Sequence, residues 1–279
     1  MLLTLSAKSV WNADRTPGKG VSPADLPTWA RNELGVHGLT LQTSLLAGWE
    51  MNQFDRLRDN ADKAGAPCLV LVEDKPLALA DPDESTANAA IDRAERVLRV
   101  ANRLGCSSVA ISLHDASSKA SIEVITPRLK SVLSRAERLE LNLLIAPAPG
   151  LTDTPEKLTG LIRKVGGFRI GSFPDFEAAS KSSDPIAYLR SLAPYAACVS
   201  ATVLGFDAKG KHKGYDLGAF LEAIQSVGFE QALTLDFRGK GDPIPTLLAA
   251  KAAIDSCLAM DEDAEPDLDD LDDDEEAEE

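Results

Sequence analysis

QALTLDFRGKGDP, Gln231–Pro243, is the stretch whose reading decides the fold. An apolar, β-rich run, Ala232–Asp236, ends in a carboxylate. A polar loop with two glycines follows, and Asp242-Pro243 then opens a helix. A strand that is apolar along nearly its whole length is buried on both faces, as in a parallel sheet covered by helices. Proline at the first helical position has a suitable φ and lacks only an N–H that would have no partner there. The stretch therefore predicts the closing strand of a parallel barrel, the loop that crowns it and the start of the final helix.

Working outward, similar apolar runs occur at Leu2–Leu5, Gly38–Gln42, Cys68–Val72, Val109–Leu113, Leu141–Ala146, Phe168–Ser172 and Cys198–Val203. With Ala232–Asp236 they number eight. Their starts are roughly 33 residues apart, the length of a βα unit. Helix starts are marked by Ser22-Pro23, Thr154-Pro155, Asp184-Pro185 and Asp242-Pro243, and by Asp216 without a proline. Glycines at 35, 65, 105, 167 and 228 stand where helices end before strands. The long helix Ser85–Leu104 carries Ala90, Ile91, Ala94, Val97, Leu98 and Ala101 on one face, with charges between them. The prediction is an α/β fold, a (β/α)8 TIM barrel over residues 1–260, with a disordered acidic tail over 261–279.

The net charge of -15 is almost all in that tail, where Asp261–Glu279 holds 14 acidic residues and no basic one. The remaining body has 29 Lys and Arg against 30 Asp and Glu, which excludes the basic footprint of a nucleic-acid binder. Cys68, Cys106, Cys198 and Cys257 lie far apart without a CxxC pair and read as reduced, small core residues. The opening MLLTLSAKSV lacks the basic start and long apolar core of a signal peptide, and no stretch is long enough to span a bilayer. A cytoplasmic location is expected, with no membrane partner. The oligomeric state is open.

In such a barrel, chemistry sits at the C-terminal ends of the strands. Those ends offer Lys8, Gln42, Glu73, Asp74, His114, Asp115, Ala146, Asp175, Ser200, Thr202, Asp236 and Arg238. Carboxylates and a histidine converging on one mouth suit a divalent metal or a general acid/base pair, which makes Asp236, Glu73 and His114 the catalytic candidates. The competing reading is that Glu73, Asp74, His114 and Asp115 are solvated loop residues or caps. Of the other histidines, His37 precedes a strand on the wrong face, and His212 lies among lysines. Lys209, Lys211 and Lys213 after strand seven, with Arg238 and Lys240 after strand eight, form a candidate anion site, because those loops often bind phosphate.

GSFPDFEAA at Gly171–Ala179 resembles the Gly-Thr-Leu-Pro-Asp-Phe-Gly-Asn segment of the sugar phosphate isomerase/epimerase family, whose fold is the xylose isomerase-like TIM barrel. VSATVLGFDAKGKHKGYDLGAFLEAIQSVGF at Val199–Phe229 is similar to that family's seventh strand, loop and helix, and QALTLDFRG stands where the family closes its barrel with a glutamate-bearing strand. The resemblance implies a divalent cation, Mn or Mg, held by Glu, Asp, His and Glu from strands five to eight. It carries over only in part. Ala146 stands at the fifth-strand glutamate position and Ala148 at the histidine of a common variant. Asp175 matches the aspartate, Ser200 and Thr202 replace the histidine, and Asp236 replaces the last glutamate with a shorter carboxylate.

The metal ligands implied are therefore Asp175 and Asp236. Arg238, Lys240, Lys209 and Lys211 are the ligand-binding candidates for a small polar molecule, a sugar or sugar phosphate. The leading expectation is a degenerate or repurposed isomerase/epimerase that binds such a ligand at the C-terminal face. Two alternatives stay open: an active metal-dependent isomerase with a reduced ligand set, and a scaffold whose acidic tail binds a basic partner.

Overall fold

The computed structural model describes residues 1–11, 21–114 and 122–262, the last three by backbone alone. Asp115 and the expected tail beyond Glu262 lie outside the described residues. Eight parallel strands form one curled sheet in the order β6-β5-β4-β3-β2-β1-β8-β7. They are β1 (Leu2–Ser6), β2 (Leu39–Gln42), β3 (Cys68–Val72), β4 (Ser108–Ser112), β5 (Asn142–Ala146), β6 (Ile170–Ser172), β7 (Cys198–Val203) and β8 (Ala232–Phe237). The helices are α1 (Leu26–Leu34), α2 (Met51–Ala64), α3 (Glu84–Leu104), α4 (Ile122–Arg138), α5 (Pro155–Val165), α6 (Phe176–Ser180), α7 (Pro185–Leu192), α8 (Leu217–Gln225) and α9 (Pro243–Glu262). This is the α/β TIM barrel that the eight runs predict. Among the described residues no helix is long and apolar enough to cross a membrane.

The period of two along each strand divides the core. On β7, Val199, Ala201 and Val203 pack outward into the large layer between strands and helices, while Cys198 joins Val70, Ala110, Leu144 and Phe173 in a separate inner cluster. By the same alternation Thr4, Ser200 and Thr234, aligned across β1, β8 and β7, line the interior one step below Thr202 and Asp236. The interior is thus apolar on one side and rich in hydroxyls on the other. The thiols of Cys68 and Cys198 are free, and burial pushes both up to about 12, aided at Cys68 by Asp62. They stay protonated and unreactive.

Two sequence-derived boundaries move. Phe168 is fully exposed, and the sixth strand begins only at Ile170. The first helix begins after Asp25 with Pro27 in its first turn, not at Ser22-Pro23, because Ser22 builds a preceding turn by accepting from the Asp25 and Leu26 N–H groups. Thr154, Asp184 and Asp216 cap as expected, each accepting from the N–H three residues on. Helix α9 continues to Glu262, two residues past the expected domain end.

The barrel closes at β6 and β7 through single bridges, Ser172 to Ala196 and Asp175 to Ser200, where the other neighbours form ladders. Ser200 N–H donates to Pro174 O at 2.8 Å, and the Ser172 hydroxyl donates to Leu192 O at 2.8 Å. The approach depends on Gly171, since a Cβ there would lie 2.2 Å from the Tyr195 carbonyl oxygen. Gly171→Ala is therefore expected to destabilise the fold by about 1–3 kcal/mol. Gly160→Ala, in α5 with nothing within 4 Å of the added carbon, should stabilise it by about 0.5–1 kcal/mol. Urea denaturation of the two variants checks both signs.

Candidate functional site

The seam that closes the barrel also builds the site. Past β6 the chain stays extended through Phe173 and Pro174, and the bridge to Ser200 delivers Asp175 to the mouth beside β7. There Asp175 caps α6: its Oδ1 accepts from the Ala178 N–H at 2.9 Å. Its Oδ2 accepts from the Thr202 hydroxyl at 2.7 Å. Thr202 in turn aligns with Asp236 on β8. Phe176, fully buried, anchors α6 beneath by edge contacts with Tyr215 and Phe220, whose rings stack at 4.6 Å. The Tyr215 hydroxyl donates to the Thr202 carbonyl. Burial, with Asp175 adding to it, pushes that phenol up, so it remains a donor.

Arg238 binds this assembly together. It follows Asp236 by two residues, and its N–H donates to Val203 O at 3.0 Å. Its Nε donates to Asp236 Oδ2 at 2.8 Å, Nη2 to Asp175 Oδ2 at 2.8 Å and Nη1 to Glu177 Oε2 at 3.0 Å. A longer contact of 3.5 Å joins Nη1 to Asp175 Oδ1. The three carboxylate side chains are 13–22% exposed and the arginine 44%. Burial alone would lower the guanidinium, but Asp175 and Asp236 outweigh it and hold the charge more firmly than usual. Lys181 donates to Glu177 Oε1 at 2.7 Å. That bond, against the cost of burial and with help from Arg238, holds the Glu177 carboxyl below its ordinary value.

Beside Arg238 lies a cavity of about 460 Å³ with Pro147, Ala148, Asp153, Lys181, Ser182 and Tyr188 on its walls. Five guanidinium N–H groups are available, and the four contacts leave the second Nη2 hydrogen without a protein partner among the described residues. The cavity therefore presents donors from Arg238, Lys181 and Tyr188, while the Ser182 hydroxyl donates to Ala179 O at 2.8 Å.

The sequence-derived candidates separate into three groups. Asp175, Asp236 and Arg238 come together. Glu73 does not join them: it is 2% exposed, and its carboxylate accepts from Arg93 Nε on α3 at 2.7 Å and from the Lys75 N–H at 3.1 Å. His114 is exposed, its N–H held by Leu77 O, and it has no bond to Asp175 or Asp236. Lys240, Lys209 and Lys211 are exposed and do not line the Arg238 cavity; Lys211 and Lys213 border a different one of about 540 Å³ around His212. Arg238 itself faces the carboxylates of Asp175, Glu177 and Asp236. Gln42 closes the interior by donating to Ser6 Oγ and accepting from the Lys8 N–H.

Glu177, Lys181 and Tyr188 were not among the sequence-derived candidates. Glu177 could have been noticed from its place in the first turn of a helix that starts at a strand end. Nothing local marks Tyr188.

Residues 30–259 match the xylose isomerase-like TIM barrel family. The chain belongs to that family. No curated protein matches it in sequence. Among solved structures, it is similar to an L-ribulose 3-epimerase (TM-score 0.79, 15% identity, 94% of this chain and 96% of that one). It is similar also to D-psicose 3-epimerase from Clostridium cellulolyticum H10, solved with D-tagatose (0.73, 15%, 93% and 99%). A third is 3-keto-D-glucoside 4-epimerase from E. coli (0.73, 13%, 92% and 100%). At these identities the likeness establishes the fold.

The divalent cation implied by the resemblance does not fit the donor set. Asp175 and Asp236 each give an oxygen to Arg238, Asp175 is further occupied by Thr202 and a helix N–H, and Ala146 has no donor to offer. Among the described residues no three His, Cys, Asp or Glu side chains are arranged to hold a metal ion.

Two outcomes follow. Because the Glu177 carboxyl lies below its ordinary 4.5, its ion pairs stabilise the fold above that value and cease to do so as pH falls through the depressed one. Glu177→Gln should thus be less stable than wild type at neutral pH and converge with it in acid, read by thermal unfolding across pH. Glu73→Ala leaves the Lys75 N–H without its acceptor and should cost about 1–3 kcal/mol of stability in urea.

Proposed function

We propose that this barrel is a repurposed relative of the sugar isomerases and epimerases that binds a small, polar, sugar-like ligand at its C-terminal face without effective turnover. The observation that carries this reading is the commitment of Asp175, Glu177 and Asp236 to Arg238, next to a cavity lined by hydrogen-bond donors. Proton transfer at a sugar carbon requires a base free to accept the proton, and in this family's reading that base is a carboxylate. At this mouth the carboxylates neutralise a guanidinium instead. The remaining Arg238 hydrogen, the Tyr188 hydroxyl and Lys181 suit hydroxyl or carbonyl oxygens, while Asp153 supplies an acceptor. The names of the similar structures point to sugars as the ligand class.

An unphosphorylated ligand is favoured. Lys209, Lys211 and Lys240 do not line this cavity, and Arg238 and Lys181 are offset there by Asp153, Asp175 and Glu177. Calorimetric titration with ketopentoses, ketohexoses and their phosphate esters tests the reading. At least one free ketose is expected to bind, with affinity reduced roughly 5- to 50-fold by Tyr188→Phe or Lys181→Met, the loss of one or two good hydrogen bonds. Glu73→Gln should leave binding unchanged. Sugar turnover dependent on Mn²⁺ or Mg²⁺ and abolished by Asp175→Ala would overturn it.

A further inference from the structure

We infer that Arg238 is a built-in cation: its guanidinium stands between Asp175 and Asp236 in the place of a divalent ion, so the mouth is organised without a metal. This goes beyond ligand binding, and its readout requires no sugar. The carboxylates of Asp175 and Asp236 share one focus, and that focus is a side chain of the same chain. Glu177 completes the ring on the third nitrogen.

The arrangement is held from both ends. Asp175 is fixed by Ala178 N–H and Thr202, and Asp236 by its place on β8. The backbone of Arg238 is fixed as well, because its N–H is bonded to Val203 O. The next residue is a glycine whose added Cβ would lie 2.4 Å from Leu204 O, so the backbone of β8 must pass hard against the loop after β7. A planar guanidinium can meet three carboxylates at once through its fork of donors, which an ammonium cannot do with the same geometry. A divalent ion entering here would have to displace Arg238 into solvent or share carboxylates with it, and like charges at that separation repel.

The substitution changes what the mouth can do. A guanidinium orients a ligand oxygen by hydrogen bonding and offsets nearby negative charge. It neither exchanges its ligands as a metal does nor lowers the pKa of a bound water to the neutral range.

Mn²⁺ titration of the full chain after chelator treatment, followed by electron paramagnetic resonance and calorimetry, tests this. Wild type should show no Mn²⁺ binding that depends on Asp175, judged by a titration unchanged in Asp175→Asn; any weak uptake by the acidic C-terminal run persists in that variant and is subtracted. Arg238→Met removes the cation shared by Asp175, Asp236 and Glu177 and should gain a site tighter by at least roughly tenfold, since the number of charged ligands sets divalent-ion affinity. That site should vanish in the Arg238→Met, Asp175→Asn double variant. One Mn²⁺ bound by wild type and lost in Asp175→Asn overturns the inference, as does a folded Arg238→Met with no new site. If Arg238→Met fails to fold, the wild-type and Asp175→Asn titrations still decide between the two.

Discussion

Eight parallel strands become a barrel only when the sixth meets the seventh, and here that contact passes through a glycine. β6 forms a ladder with β5 but meets β7 only through two bridges, with a carbonyl pushed into the space where Gly171 has no side chain. An open edge would leave backbone N–H and C=O groups without partners. The same closure fixes the site. The bridge that joins Asp175 to Ser200 carries a carboxylate from β6 across to β7, within reach of Thr202 and the end of β8. The seam is therefore a stability requirement and a positioning device.

What the seam delivers is an accumulation of negative charge, and the chain answers it with Arg238. Asp175, Glu177 and Asp236 around one guanidinium form a network rather than a surface pair, and the arginine is half-exposed, so its net contribution to stability is modest. Its larger effect is geometric. Each carboxylate has a defined partner, α6 is capped, and the ends of β6, β7 and β8 are tied together through side chains. The cavity beside them inherits a fixed donor, while Glu73 and Arg93 form an independent pair on the side facing α3.

Much of this was legible in the residue order. Apolar runs at βα spacing, prolines behind caps and glycines before strands are local signals, each set by backbone sterics or by burial on both faces. They placed all eight strands and most helix starts. Errors arose where a local signal had two readings. Ser22-Pro23 has the form of a cap but builds a turn ahead of the helix, and Phe168 extends an apolar run whose first residues lie in solvent.

The sequence by itself determined the fold and the family resemblance, and it put Asp175 and Asp236 at the ends of the sixth and eighth strands, since strands and their ends are marked by short-range patterns. Only the tertiary structure decided what those carboxylates face. Arg238 is two residues from Asp236 in the chain but 63 residues from Asp175, and its side chain could equally have joined the lysines of the neighbouring loop. Electrostatic partners are chosen by distance in space, across a seam that exists only when the barrel is closed. QALTLDFRG thus showed the strand and the charge, and the fold turned that charge inward to its own carboxylates.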